Sequence, residues 1–160
     1  MIGYAIFSEC QRYRYGLSRV AYPEKKTLMY VLLNPSTADA QKNDPTVARC
    51  WVRARNLGYG QMLIGNLFAI RSADPRDIFK ESDPVGPDND TYLVIMAAAA
   101  HTIILGWGNE GAYRGRSKQV VKLLRENYAR PLYCLHMNGS GMPKHPLYLR
   151  YDLPLIEFKE

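Results

Sequence analysis

Residues 27–39, TLMYVLLNPSTAD, join an unbroken apolar run to a polar turn. The segment Leu28–Leu33 lacks the alternation of a half-exposed strand, as expected of a central parallel strand covered on both faces. Asn34 stands at its tip, directly before Pro35, which fixes its own φ and pushes the preceding residue to extended backbone. Three further stretches repeat this pattern: QMLIGNLFAIR (61–71), HTIILGWGNEG (101–111) and PLYCLHMNGSGMPKHPLYL (131–149). Their strand ends fall near Asn34, Asn66, Gly106 and His136, at spacings of 32, 40 and 30 residues. Such intervals match strand–helix–strand units. In an open parallel sheet the ligand binds outside the carboxyl ends of the strands, so these four polar loops are expected to line one site.

The segments between them read as helices. Asp44-Pro45-Thr46 opens one, with Asp44 as cap and Pro45 in the first turn, running through Val47, Cys50, Trp51 and Ala54 and stopping before Gly58. Ser72-Ala-Asp-Pro-Arg opens a short helix, and DPVGPDND (83–90) is a loop of turn formers. Helices are expected over about 89–100 and 117–128, the second amphipathic with Val120, Val121, Leu123 and Leu124 inward. The second central strand covers Met62–Asn66 and continues to Ile70. Residues 3–22 alternate and carry aromatics, predicting a hairpin that turns near Tyr15-Gly16-Leu17, at a sheet edge or folded over the sheet. The expected architecture is one α/β domain over residues 1–160: a three-layer sandwich with a central, mostly parallel four-stranded sheet and an N-terminal β-hairpin.

Composition sets the bounds. With 160 residues, 47% hydrophobic and 22% charged, the chain is globular and long enough for one real core. No apolar run is long enough to span a bilayer, so no membrane partner is expected. The opening MIGYAIFSECQRYRYG has neither a leading positive segment nor a long apolar one, so no secretion signal is expected. Cys10, Cys50 and Cys134 form no CxxC pair and fit reduced thiols in a cytoplasm. The net charge of +6 and pI near 9.3 favour an anionic partner, nucleic acid being the commonest, although many soluble enzymes are equally basic. Neither a metal nor a cofactor is expected: no HExxH, HxE…CxxC, GxxxxGK[ST] or GxSxG pattern occurs.

The candidate residues sit in the strand-end loops. Asn34 is aimed by Pro35, with Ser36, Thr37 and Asp39 within reach; an Asx turn that merely closes the strand is the plain alternative. Asn66, flanked by Ile64, Leu67 and Phe68, must satisfy a buried amide at a cost otherwise of about 1–3 kcal/mol. It binds neighbouring backbone or reads a ligand, and an amide suits a purine or pyrimidine edge because it both donates and accepts. His145, beside Lys144 in a glycine-rich loop, is placed to stabilise a developing oxyanion, or else is a surface histidine. Trp107 and Tyr113 offer faces for a base, although aromatics at strand ends are more often core. Arg114, Arg116 and Lys118 offer cations for phosphates or form a solvated face.

Taken together, LNPSTAD…NDPTVARC, NLFAIR, DPVGPDND and KHPLYL resemble the motif set of the bacterial and phage family called domain of unknown function 1643, over nearly the whole chain. The motif order over about residues 28–150 is also similar to the uracil-DNA glycosylase superfamily. LLNPS stands where that superfamily has GQDPY or GINPG, with Asn34 at the Asp/Asn position. LIGNLFAIR stands for its LLLN-type strand with a base-reading Asn, ILGWGNEG for its glycine turn, and His145-Pro146-Leu147 for its histidine-proline-serine loop. The resemblance implies a base flipped into a pocket between strand ends. Asn66 would read its edge, His145 would stabilise the departing base, and Asn34 would position water. Pro35, Ser36, Phe68, Trp107 and Lys144 would join the substrate-binding set, with Phe68 or Trp51 as the stacking aromatic. Two departures stand out: Asn34 is no carboxylate, leaving Asp39 or Asp44 as possible sources of one, and Leu147 replaces a phosphate-contacting serine.

Three functions remain open at this point. The first is hydrolysis of a base–sugar bond in DNA or in a free nucleoside or nucleotide. The second is a non-catalytic module that binds nucleic acid or a modified base. The third is a small-molecule enzyme on the same fold.

Overall fold

The structure, a computed structural model, describes residues 1–159. Seven strands form one mixed sheet: β1 (Ile2–Phe7), β2 (Arg14–Val20), β3 (Thr27–Leu32), β4 (Gln61–Asn66), β5 (Thr102–Leu105), β6 (Leu132–Cys134) and β7 (Ile156–Phe158). Their order across the sheet is β1-β2-β4-β3-β5-β6-β7. The middle run β4-β3-β5-β6 is parallel throughout, and β1, β2 and β7 add antiparallel edges. Three α-helices follow the strands: α1 (Pro45–Asn56), α2 (Asn89–Ala99) and α3 (Arg116–Asn127).

β3 shows why the sequence folds this way. All six of its residues are buried, and alternate side chains serve opposite faces. Leu28, Tyr30 and Leu32 join Val47, Cys50 and Ala54 of α1 in one apolar cluster. Met29, Val31 and Leu33 join Leu93, Met96 and Ala97 of α2 and Val120 and Leu124 of α3 in the other. A strand with a helix layer on either side needs apolar residues at every position, which is what Leu28–Leu33 supplies. α1 starts as its sequence indicates: the Asp44 carboxylate accepts from Val47 N at 2.8 Å, and Pro45 occupies the first turn.

Three expectations about the sheet are corrected. It has seven strands rather than four, because the N-terminal hairpin is built into it through β2–β4 pairing and the tail returns as β7. The hairpin does not turn at Tyr15-Gly16-Leu17, which lies inside β2; the turn covers residues 8–13, closed by Ser8 N to Tyr13 O at 2.9 Å. Tyr15 and Leu17 are core residues, so the apparent turn tripeptide is held straight by burial. β4 likewise ends at Asn66, and Ile70 makes only an isolated bridge to Tyr13.

The chain leaves β3 for β4 on one side and later returns to β5 on the other, with α1 and α2 on opposite faces. That reversal opens a crevice at the carboxyl ends of β3, β4 and β5. Among the described residues no helix is long and apolar enough to cross a membrane.

Candidate functional site

A cleft of about 510 Å³ occupies this crevice. Leu33, Asn34, Ser36 and Thr37 reach it from the end of β3, Asp44 to Thr46 from the start of α1, and Trp107, Gly108 and Glu110 from beyond β5. Asn138 and Lys144 to Tyr148, less the buried Pro146, close it from beyond β6. A smaller cavity of about 40 Å³ opens beneath it, sharing Asn34, Ser36, Asp44, Thr46 and His145 and ending on Arg14, Ile64 and Asn66. Its volume suits a few waters or the leading edge of a planar ring.

Asn66 forms the end wall of that inner cavity. It is 1% exposed, and neither its Nδ2 nor its Oδ1 has a hydrogen-bond partner. Its backbone is firmly held: Asn89 Nδ2 donates to the carbonyls of Asn66 at 2.9 Å and Leu67 at 3.1 Å, and Arg116 Nε donates to Leu67 O at 2.8 Å. The peptide is therefore fixed while the amide has no protein partner, the reverse of a structural Asn.

Asn34 is oriented differently. Its Nδ2 donates to Pro35 O and Ser72 O, both at 3.2 Å, which fixes the amide plane and leaves Oδ1 as the free acceptor. His145 caps a short 3-10 turn (Pro146–Tyr148), its Nδ1 accepting from Leu147 N at 3.3 Å. With Nδ1 an acceptor, the neutral ring carries its proton on Nε2. Burial lowers the His145 pKa from its ordinary 6.5, partly opposed by the carboxylates of Asp44 and Glu110.

The loop carrying His145 is stitched in place. Lys144 N donates to His136 O and Gly108 N to Pro143 O, both at 2.8 Å. Gly106 lets the loop approach β5, since a Cβ there would meet Pro146 Cδ at 3.1 Å and Lys144 O at 3.3 Å. From α1, Arg53 Nη2 donates to Leu149 O at 3.1 Å and Arg150 O at 2.6 Å, and Arg49 Nη2 to Leu149 O at 2.6 Å.

The sequence candidates separate accordingly. Asn34, Ser36, Asp44, Asn66 and His145 meet at the inner cavity, with Pro35 in its wall. Trp107 and Lys144 line the outer cleft but not the inner cavity. Asp39 lies outside both; its Oδ1 accepts from Lys42 N at 2.7 Å and Gln41 N at 2.9 Å, bonds that hold its pKa below the usual carboxylate value. Phe68 is fully buried against Tyr113 and Trp51 lines neither cavity, so neither presents a face to the cleft. Arg116 is buried and bonded to Leu67 O and Asp90, and Arg114 donates to Ser82 O.

Two residues escaped the sequence reading. Arg14 is buried in the inner cavity wall, its Nη1 on Ala38 O at 3.0 Å; burial brings its pKa down to about 10, against the opposing charge of Asp44. A charged residue between two core tyrosines of an alternating strand was the signal. Tyr148, 88% exposed, stands at the cleft mouth, and its only mark in the sequence was its place two residues after His145-Pro146.

The model of a family described as "Protein of unknown function (DUF1643)" matches residues 14–147, and the chain belongs to that family. No curated protein and no solved structure matches it.

Proposed function

We propose that this family member is a uracil-DNA glycosylase-like domain that takes a nucleobase into the cleft, with the leading edge of the ring in the inner cavity, and hydrolyses its bond to the sugar. One observation carries the reading: the buried, unpartnered amide of Asn66, fixed by its backbone and facing a cavity shared with Asn34 and His145. Buried polar atoms are nearly always hydrogen-bonded, so two orphaned amide atoms at a cavity wall are available to water or to a ligand that displaces it. An amide matches the adjacent donor and acceptor of a base edge.

Each remaining group has a role in that chemistry. As the base–sugar bond breaks, its electron pair leaves with the base, and His145 Nε2–H donates to the oxygen on which the charge gathers. Asn34 Oδ1 accepts from a water and aims it at the sugar carbon. Asp44 is the carboxylate that borders the inner cavity beside Asn34; its Oδ1 is held by Val47 N, and the carboxylate takes the water proton as the new carbon–oxygen bond forms. Asp39 is set aside because its carboxylate serves its own turn.

The test is incubation with single- and double-stranded oligonucleotides carrying uracil, mismatches and modified bases, scored by mass spectrometry for free base and abasic strand. Release that disappears in His145→Ala and Asn66→Ala, with both variants folded, is the expected result. Retained release in both variants would refute the assignment. Asn66-dependent binding without release would instead identify a modified-base or nucleic-acid binding module, a reading favoured by the amide that replaces a carboxylate at position 34.

A further inference from the structure

A second groove of about 490 Å³ continues from the cleft, sharing Ser36, Thr37, Ser72 and Ala73 with it. Its far wall is the β1–β2 turn and the segment after β4, which bring in Arg12 and Arg71. Its one acidic residue, Glu81, is paired with Arg12 across an exposed salt bridge. Arg71 has no carboxylate partner among the described residues; its Nη1 donates to Gln11 O at 2.9 Å, and its guanidinium lies 4.4 Å from the centre of the Phe7 ring. Gln11 adopts a left-handed backbone (φ 64°), which a non-glycine residue keeps only where the surroundings hold it. Here the turn is closed by Gln11 N to Ser8 O, and it presents the Gln11 carbonyl to Arg71.

We infer that this groove binds the phosphate next to the sugar whose base enters the inner cavity, so that the substrate is a phosphate ester rather than a free nucleoside. The inference rests on the base-binding reading above. Guanidinium groups bind phosphate oxygens through paired donors, and the hydroxyls of Ser36 and Thr37 add further donors on the near wall. Ser36 borders the inner cavity, the cleft and the groove, at the junction where base, sugar and phosphate would meet. The Arg12–Glu81 pair is exposed and therefore weakly held. Arg12 is free to exchange that carboxylate for a phosphate.

The experiment uses a single-stranded oligonucleotide with one abasic unit, which probes the groove independently of the base. Anisotropy is measured over a salt series for the wild type, Arg71→Gln, Arg71→Lys and Thr37→Glu. Binding by wild type should weaken with salt. Arg71→Gln should weaken it about tenfold and reduce the slope of log K against log salt by about 0.7, the value for one single-strand phosphate contact. Arg71→Lys should restore most of the slope, and Thr37→Glu, at an exposed position, should weaken binding without touching the fold. In a parallel arm, a nucleoside monophosphate should compete at least tenfold better than its nucleoside; whether it or the strand is preferred distinguishes a free nucleotide from a polymer.

Unchanged abasic-strand binding in Arg71→Gln and Thr37→Glu would overturn the groove, even if base release were observed. Groove-dependent binding with no base release from any substrate would support the groove while counting against the hydrolytic reading.

Discussion

Replacing Asn66 by alanine should make the protein more stable while abolishing its use of a base. The two amide atoms are buried without a protein partner, and an unsatisfied buried group costs about 1–3 kcal/mol. Water in the adjoining cavity offsets part of that cost, and truncation sacrifices packing of roughly 1 kcal/mol. The net gain is about 1 kcal/mol, equivalent to a rise of about 2–4 °C in Tm for a domain of this size. The backbone contacts from Asn89 and Arg116 do not involve the side chain of Asn66 and survive the change. Urea and thermal unfolding of wild type and Asn66→Ala, followed by circular dichroism, provide the comparison. A loss of more than about 1 kcal/mol would refute the reasoning, because it would make the amide a structural group with partners of its own.

Four further outcomes are expected. Burial keeps His145 below its ordinary 6.5, so on acidification the unfolded chain takes up that proton first; stability should fall as pH drops from about 6.5 toward the lower folded value. His145→Asn, which can still cap the turn, should remove that pH dependence from denaturant titrations. Arg53 is fully buried and holds two carbonyls behind the His145 loop, so Arg53→Ala should cost about 2–4 kcal/mol in urea unfolding and expose residues 136–150 to proteolysis. A Cβ on Gly111 would fall within the Trp107 ring; Gly111→Ala should cost about 1–3 kcal/mol and shift the tryptophan emission. Tyr148→Ala should leave stability within about 0.5 kcal/mol while weakening oligonucleotide binding by about 1–3 kcal/mol, checked by paired melts and anisotropy.

Legibility in the sequence followed the number of constraints on each residue. β3 was readable because a strand covered by α1 on one face and by α2 and α3 on the other must be apolar throughout. α1 was readable because Asp44 and Pro45 mark its start by local chemistry alone. The edges were not. β7 is three residues long with only Phe158 buried, too short for any period to register. The hairpin turn was misplaced because Gly16 lies within β2 under the Met96 side chain, where a Cβ would meet Sδ at 3.1 Å. A glycine required by packing looks, in sequence, the same as one required by a turn.

The site divides along the same line. Asn34, Asn66 and His145 could be named because each stands at or beyond a strand end whose register fixes its position. The choice between Asp39 and Asp44 could not be made, since both follow Asn34 within ten residues and both sit among turn formers. Local hydrogen bonding decides it: Asp39 folds back on Gln41 and Lys42, whereas Asp44 caps α1 and so faces whatever α1 points at. What α1 points at is the end of β3. An α/β crossover brings the start of its helix close to the tip of the strand before it. A helix-capping aspartate after a strand-end amide is thus placed at the site by the same geometry that places the amide. That placement gives the chain a carboxylate beside Asn34 without one at position 34 itself.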